Sequence, residues 1–353
     1  MHVKTVASGS HTDTGLSAAL AMGVVTVTAG PATLCIMRMI LKTRSLGAIG
    51  IAVVILTASC SADRGDDATD GVKVVATTTM LGDIARTIVG DDGSVETLFS
   101  VGASPHDFHP SSAQVTAIYG ADLVLANGLH LEEGLSDVLD AAQADGVNVV
   151  EIAELLDPLT FEDREPCSTG GDDNSRDGAC DPHVWFDPER NARSAELVAE
   201  LLTDIDSSVA WADRAATYAA DLARADATIV ELLEGISTED RLLVTNHDSL
   251  GYFADRYGFV VVGTVIPGGS TLSEPSSVDL TNLVAIINET GVSAIFAATS
   301  EPIALAEAIA DEVDHEVEVV SLYTGSLGEE GSGAETLVGM LITNAERIAS
   351  GLS

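Results

Sequence analysis

The sequence predicts an α/β protein with two lobes, each with a parallel four-stranded sheet and surrounding helices, joined by one long rigid helix. Apolar, β-branched runs alternate with helical stretches from Val72 onward. This alternation occurs twice along the chain. Between the two series, a helical segment runs for more than twenty residues without glycine or proline.

The first series predicts the N-terminal lobe over residues 72–209. Strand-like runs occupy 72–79, 94–101, 122–127 and 147–152. Helical stretches are predicted over 80–90, 111–121 and, as an amphipathic helix, 191–206. Strands connected through helices form parallel sheets, so these four runs are expected to share one sheet.

The linking helix is predicted over 210–237 and the C-terminal lobe over 238–353. Open parallel sheets bind ligands beyond the carboxyl ends of their strands, so the cleft between the lobes is the expected site. The strands and helices of the second series alternate, with strands over 241–246, 259–265, 294–298 and 318–324 and helices over 249–258, 277–291, 302–312 and 335–351.

The first 60 residues predict an export segment. Three basic residues precede the apolar run LGAIGIAVVILTAS and Cys60, as in a lipoprotein signal whose cysteine becomes lipidated. Residues 1–36 are interpreted as an upstream extension and 61–71 as a flexible tether. A retained transmembrane helix and an ordinary secretory signal are the alternative interpretations of the apolar run.

The charge of the chain argues against polyanionic partners. Aspartate and glutamate outnumber lysine and arginine 55 to 16, giving a formal net charge of −39. Such a surface repels nucleic acid, and no nucleic-acid partner is expected. Neither the GxGxxG nor the GxxxxGK[ST] nucleotide-binding pattern occurs in the sequence.

Two cysteines flank a polar loop within the first lobe. Cys167 and Cys180 enclose the sequence STGGDDNSRDGA, which cannot form a packed core. A disulfide that closes this loop is the economical prediction for an exported protein. A soft metal site made of the two thiolates is the alternative.

Three histidines occupy similar positions at the ends of predicted elements. His106 follows a strand, His183 precedes a helix, and His247 ends the strand and turn RLLVTNH. Neutral imidazole is a borderline ligand that suits zinc. Three imidazoles that converge across a cleft are expected to bind Zn²⁺ between the lobes.

Around these histidines the chain resembles the metal-binding receptors of zinc and manganese ABC transporters, the ZnuA/TroA/PsaA type. The resemblance extends from about Val72 to Ser353. It rests on a series of motifs in order: ATTTMLGDIA, ASPHDFHPS, ADLVLANGLHLE, DPHVWFDP, TNHDSLGYFADRYG, SEPSSVDL and LYTGSLGEEGSGAETLVGMLITNAERI. The resemblance implies two α/β lobes joined by a rigid helix, with metal bound between them.

Matching the motifs assigns the first three metal ligands to His106, His183 and His247, with His109 not a ligand. A histidine at the third position resembles zinc-binding members, whereas manganese-binding members tend to have glutamate there. His130 is expected to line the cleft without binding metal.

The fourth position departs from the family pattern. The resemblance implies an aspartate where Gly325 stands in LYTGSLG. Glycine offers no side chain, so three protein ligands and an additional water, anion or neighbouring group are expected. Asp248, Glu301 and Ser326 are the nearest candidates by sequence.

The resemblance implies a lipid-anchored, monomeric, extracytoplasmic protein that delivers zinc to a membrane permease whose ATPase is a separate chain. A manganese or iron receptor of the same family is the alternative. A zinc hydrolase needs a general base near the metal, and Asp248 is its one candidate. Sequence neighbours such as His247 and Asp248 usually point apart in such a turn, and no HExxH pattern occurs. The chain is therefore predicted not to be an enzyme. A surface adhesin, a label given to some family members, has no repeat or aromatic patch to support it.

Overall fold

The computed structural model describes residues 71–167 and 180–353. The predicted export segment with Cys60, and residues 61–70 of the predicted tether, lie outside the described residues. Within the described ranges, no helix is both long enough and apolar enough to cross a membrane.

The first sheet has four parallel strands in the order β2-β1-β3-β4. β1 and β3 are buried along almost their whole length, as expected for central strands covered by helices on both faces. The elements of this part of the chain are β1 (Val72–Ala76), α1 (Thr79–Val89), β2 (Gly93–Thr97), α2 (Ser112–Tyr119), β3 (Leu123–Ala126), α3 (Ser136–Ala144) and β4 (Val149–Glu151).

Two helices connect the sheets along the chain, α4 (Pro188–Ile205) and α5 (Trp211–Leu233). The second sheet repeats the topology of the first, with four parallel strands in the order β6-β5-β7-β8. Its elements are β5 (Leu242–Thr245), α6 (Gly251–Tyr257), β6 (Val260–Thr264), α7 (Ser277–Thr290), β7 (Ala294–Ala298), α8 (Ala304–Asp311), β8 (Glu318–Leu322) and α9 (Leu337–Gly351). The predicted α/β class with two parallel four-stranded sheets is confirmed.

Capping residues set several helix boundaries that the apolar pattern placed elsewhere. The predicted strand over 72–79 ends at Ala76, because the Thr78 hydroxyl accepts a hydrogen bond from Leu81 N and begins α1. α4 begins at Pro188, three residues before its predicted start. The Asp187 carboxylate caps it by accepting from Glu189 N, and proline suits the first helical turn.

The long helix α5 packs against α4 and α1 on the side of the first sheet and against α9 on the side of the second. One hydrophobic core runs through these helices and both sheets, from Val74 in β1 through Leu222 in α5 to Phe296 in β7. The two sheets are therefore joined by a shared core as well as by the chain.

Candidate metal site

The three predicted histidines come from three separate parts of the fold. His106 lies in a 3-10 turn after β2, Pro105–Asp107. His183 immediately precedes the 3-10 turn Val184–Phe186, and His247 follows the end of β5. Their exposed fractions are 3%, 1% and 3%, so burial removes all three from bulk water.

The fold brings these three side chains together. One ligand nitrogen from each lies within 4.8 Å of the other two. His183 Nε2 and His247 Nε2 are 3.2 Å apart, and the His106 ring centre lies 5.6 and 5.5 Å from those of His183 and His247. Two nitrogens bound to one tetrahedral zinc lie roughly 3.4 Å apart, from Zn–N distances of about 2.0–2.1 Å. The His183–His247 pair already has this spacing.

Burial keeps His106 and His247 neutral. Burial lowers the pKa of His106 to about 3, with a smaller contribution from His183. Burial also lowers the pKa of His247 well below its usual range, assisted by His183 and His106. Neutral imidazole is the form that binds metal, so no proton has to leave these two rings first.

Several nitrogen atoms at the site have no hydrogen-bond partner among the described residues. They are both ring nitrogens of His106 and Nδ1 of His247, all of them buried. An unpaired buried polar atom costs about 1–3 kcal/mol. A bound cation would satisfy one lone pair on each ring, which is an independent indication that the donor set fits a metal ion.

A buried carboxylate orients His183. His183 Nδ1 donates to Asp181 Oδ1 over 2.7 Å, and the backbone N–H of His183 donates to the same oxygen over 3.0 Å. A proton on Nδ1 leaves the Nε2 lone pair free to face His106 and His247. Asp181 was not among the predicted site residues, although an acidic residue two positions before a candidate ligand can indicate a carboxylate that orients it.

Aromatic rings enclose His183. The Trp185 ring centre lies 5.2 Å and the Phe161 ring centre 6.3 Å from that of His183. Trp185 Nε1 donates to the carbonyl oxygen of Thr324, next to Gly325, over 3.0 Å. The Trp185 hydrogen bond connects the residues beside His183 to the turn that contains Gly325.

Gly325 is buried in the turn after β8, beside the histidine cluster. A Cβ atom on Gly325 would lie 2.9 Å from Pro105 Cδ and 3.3 Å from Ser300 Oγ. Pro105 immediately precedes His106. A larger residue at 325 would therefore require the 3-10 turn that carries His106 to move.

The three candidates for a fourth ligand have other partners. Asp248 Oδ1 accepts from Arg164 Nη2 over 3.0 Å. Ser326 Oγ accepts from Gly102 N over 2.8 Å and donates to the carbonyl of Leu327 over 3.0 Å. Glu301 accepts from the Ser104 hydroxyl, while burial raises the pKa of its carboxyl. The metal-type cluster found in the described ranges contains none of the three.

Two other histidines and two cysteines lie in the described part of the first lobe. His130 is exposed in a turn after β3 with a left-handed backbone (φ 61°), and His109 is exposed beside His106. Neither belongs to the cluster. Cys167 and Cys180 form the predicted disulfide, with Cα atoms 5.5 Å apart.

The chain is similar to known metal-binding proteins over most of its length. A family model described as zinc-uptake complex component A, periplasmic, matches residues 74–351. The zinc-binding protein TroA of Treponema pallidum is 32% identical over 298 residues, covering 82% of this chain and 91% of TroA. The solved structure of periplasmic zinc binding protein TroA aligns with a TM-score of 0.71 at 31% identity, covering 80% of this chain and 99% of that one.

Two further relatives carry the names of other metals. The manganese-binding lipoprotein MntA of Halalkalibacterium halodurans is 28% identical over 306 residues, covering 85% of this chain and 96% of MntA. The iron-binding protein YfeA of Yersinia pestis is 27% identical over 312 residues, covering 86% and 93%. Members of the family are substrate-binding transport proteins and not enzymes. The chain belongs to this family of metal-binding receptors of ABC transporters, as its motifs predicted.

Proposed function

We propose that this protein captures Zn²⁺ with His106, His183 and His247 and delivers it to an ABC permease driven by a separate ATPase. The observation that carries the proposal is the convergence of three buried imidazoles within 4.8 Å. The match to the family model and the name of the zinc-binding relative TroA support the same function.

The donor set favours zinc over manganese as cargo, whereas imidazole suits both zinc and iron. Nitrogen donors suit zinc, whereas manganese prefers carboxylate and water oxygen atoms. The relatives MntA and YfeA are named for manganese and iron, so these ions are the alternatives to test. Competition of zinc with manganese and with ferrous iron for the same protein distinguishes the three ions.

We propose that the mature protein is a monomer anchored outside the cytoplasm by lipid on Cys60. The signal-like sequence before Cys60 and the lipoprotein name of MntA support this location. Metabolic labelling with a radioactive fatty acid tests it, because a Cys60→Ala variant should lose the label.

The first test is a zinc titration of the metal-free protein, with His247→Ala and His109→Ala variants side by side. The wild-type protein and the His109→Ala control should bind one zinc ion each. The His247→Ala variant should lose tight binding, because two imidazoles remain of three. Equal binding by the wild type and His247→Ala would refute the assigned site.

A further inference from the structure

Arg164 lies in the turn of a short antiparallel hairpin over residues 159–166, next to the disulfide. Backbone bridges pair Leu159 with Pro166 and Thr160 with Cys180. The Cys167–Cys180 disulfide joins the residue after this hairpin to the segment that pairs with Thr160. Arg164 therefore lies in a turn whose arms are paired through the backbone, and the second arm is tied covalently to the segment that leads to His183.

The Arg164 guanidinium bridges two carboxylates from different parts of the fold. Nη1 lies 3.3 Å from Asp181 Oδ2, and Nη2 lies 3.0 Å from Asp248 Oδ1. Asp181 is fully buried, and about a fifth of the Arg164 and Asp248 side chains is exposed. An ion pair this well shielded is screened much less than a surface pair.

Each of these carboxylates is coupled to a proposed ligand. The other oxygen of Asp181 holds the ring and the backbone N–H of His183. Asp248 directly follows His247, and its backbone N–H donates to the Gly268 carbonyl over 3.0 Å. Arg164 thus connects the support of one ligand with the chain neighbour of the other.

The backbone at Arg164 is strained. Its φ of 57° lies in the left-handed region, which is unfavourable for a side chain of this size. Its guanidinium also packs against Gly251, the first residue of α6. A Cβ atom on Gly251 would overlap Arg164 Nη1 and Asp181 Oδ2. The left-handed backbone of Arg164 and the absence of a side chain at Gly251 therefore both allow the guanidinium to reach Asp181.

We propose that Arg164 is a positioning residue for metal retention: it bridges Asp181 and Asp248 and so holds His183 and His247 at binding distance. The inference rests on the proposed function, because it assumes that these histidines bind the metal. Arg164 itself does not contact the metal. The hairpin over residues 159–166 and the neighbouring disulfide keep the guanidinium in place.

The main test compares zinc release from wild type, Arg164→Met and Arg164→Lys, measured by stopped-flow mixing with a chromophoric chelator. Loss of support for a metal-binding histidine typically weakens binding about 10- to 100-fold, so Arg164→Met should release zinc faster by that order. Arg164→Lys restores the charge without the two-sided geometry and should fall between them. Arg193→Met is the matched control, because Arg193 forms exposed pairs within α4 alone.

A second variant displaces Arg164 without removing it. Gly251→Ala places a methyl group where Arg164 meets Asp181, although alanine is a better helix former than glycine. Gly251→Ala should therefore accelerate zinc release, and it should do so much less in an Arg164→Met background, where no guanidinium is displaced. A purely structural effect of the methyl group would be the same in both backgrounds, so the double variant separates the two explanations.

The contribution of the hairpin is tested with Cys167→Ser/Cys180→Ser. If the disulfide acts through Arg164, this double variant should accelerate zinc release, and combining it with Arg164→Met should add little. The absorption spectrum of the Co²⁺-loaded protein should change in Arg164→Met, because the coordination geometry relaxes, and stay unchanged in Arg193→Met.

The outcomes separate this inference from the proposed function. If the wild type binds no zinc, or His247→Ala binds as tightly, the metal site itself is wrong. If the wild type binds zinc and Arg164→Met and Gly251→Ala release it at the wild-type rate, the site stands and the positioning role is wrong. Additive effects of Arg164→Met and the cysteine variant would overturn the link to the disulfide.

Discussion

At the scale of single residues, the three imidazoles differ in how strongly the fold constrains them. Asp181 fixes the tautomer and orientation of His183. His247 Nε2 lies 3.2 Å from His183 Nε2, whereas both nitrogens of His106 lack a partner among the described residues. We therefore expect His183 and His247 to be preorganised for metal binding. His106 would then complete the site by a small movement of its 3-10 turn.

The depressed pKa of His106 predicts how stability depends on pH. His106 stays neutral in the folded metal-free protein down to about pH 3, whereas an unfolded histidine binds a proton near pH 6.5. Protons then favour the unfolded state below pH 6.5, so the stability associated with neutral His106 is present above that pH and is lost as the pH falls. The stability of the wild type relative to His106→Gln should fall by about 1 kcal/mol per pH unit between pH 6.5 and 4.5.

Urea unfolding of both chelator-treated proteins at several pH values measures this difference. The subtraction removes the contribution of the many carboxylates, which titrate in both proteins. A difference that does not vary with pH would mean that His106 takes up a proton as readily when folded as when unfolded.

An aspartate introduced at position 325 should change the affinity for zinc. Gly325→Asp supplies an oxygen donor beside His106 but also pushes against Pro105, whose Cδ would lie 2.9 Å from the new Cβ. Gly325→Ala introduces the same crowding without a donor. We expect Gly325→Asp to bind zinc at least about tenfold more tightly than Gly325→Ala in a competition titration. Equal affinities would show that a side chain at 325 does not reach the metal.

At the scale of elements, one buried carboxylate joins three helices. Asp83 in α1 accepts from Tyr218 Oη in α5 over 2.8 Å and from Leu337 N at the start of α9 over 3.1 Å. Burial raises the pKa of the Asp83 carboxyl, while these two donors act in the opposite direction. α5 is therefore connected to elements beside both sheets through polar contacts as well as through the core.

Removing one of these hydrogen bonds should destabilise the protein measurably. Tyr218→Phe deletes the hydroxyl and leaves Asp83 with one donor fewer, which should cost about 1–3 kcal/mol in urea unfolding. Tyr119→Phe is the matched control, because Tyr119 is exposed and its hydroxyl donates to the surface residue Asp145. An effect no larger than that of the control would mean that Asp83 is satisfied by other groups.

The sequence predicted the strands and helices that have a clear apolar pattern and missed a helix and a polar bridge that do not. Strands such as β3 and β7 carry such runs, and the two series revealed both sheets. β2 (GSVET) has a single apolar residue, and its predicted range of 94–101 extends past the end of the strand at Thr97. Helix α3 was not predicted, since Leu139 and Ala142 are its only buried residues and leave little periodicity. The three histidines were identifiable because they sit in distinctive motifs. The bridge through Arg164 was not, because its partners lie 17 and 84 residues away.

At the scale of the whole molecule, the shared core limits how the lobes can move. Residues of both sheets, α5 and α9 belong to one hydrophobic cluster. Separating the lobes widely would expose apolar surface at about 25 cal/mol per Å², which adds up to many kcal/mol for a large interface. We expect metal capture to involve local movement of turns around His106 and Gly325, with the helices retained.

The same shared core predicts that residues 71–353 unfold as one cooperative unit. The two tryptophans report on different regions, since Trp185 lies beside His183 and Trp211 begins α5. Trp185→Phe leaves the fluorescence of Trp211, and Trp211→Phe leaves that of Trp185. In each variant the urea midpoint from fluorescence should coincide with that from circular dichroism, because the cluster that spans both sheets cannot persist once either sheet unfolds. Two separate midpoints within one variant would instead show that the lobes unfold independently and that the cluster joining them contributes little to their stability.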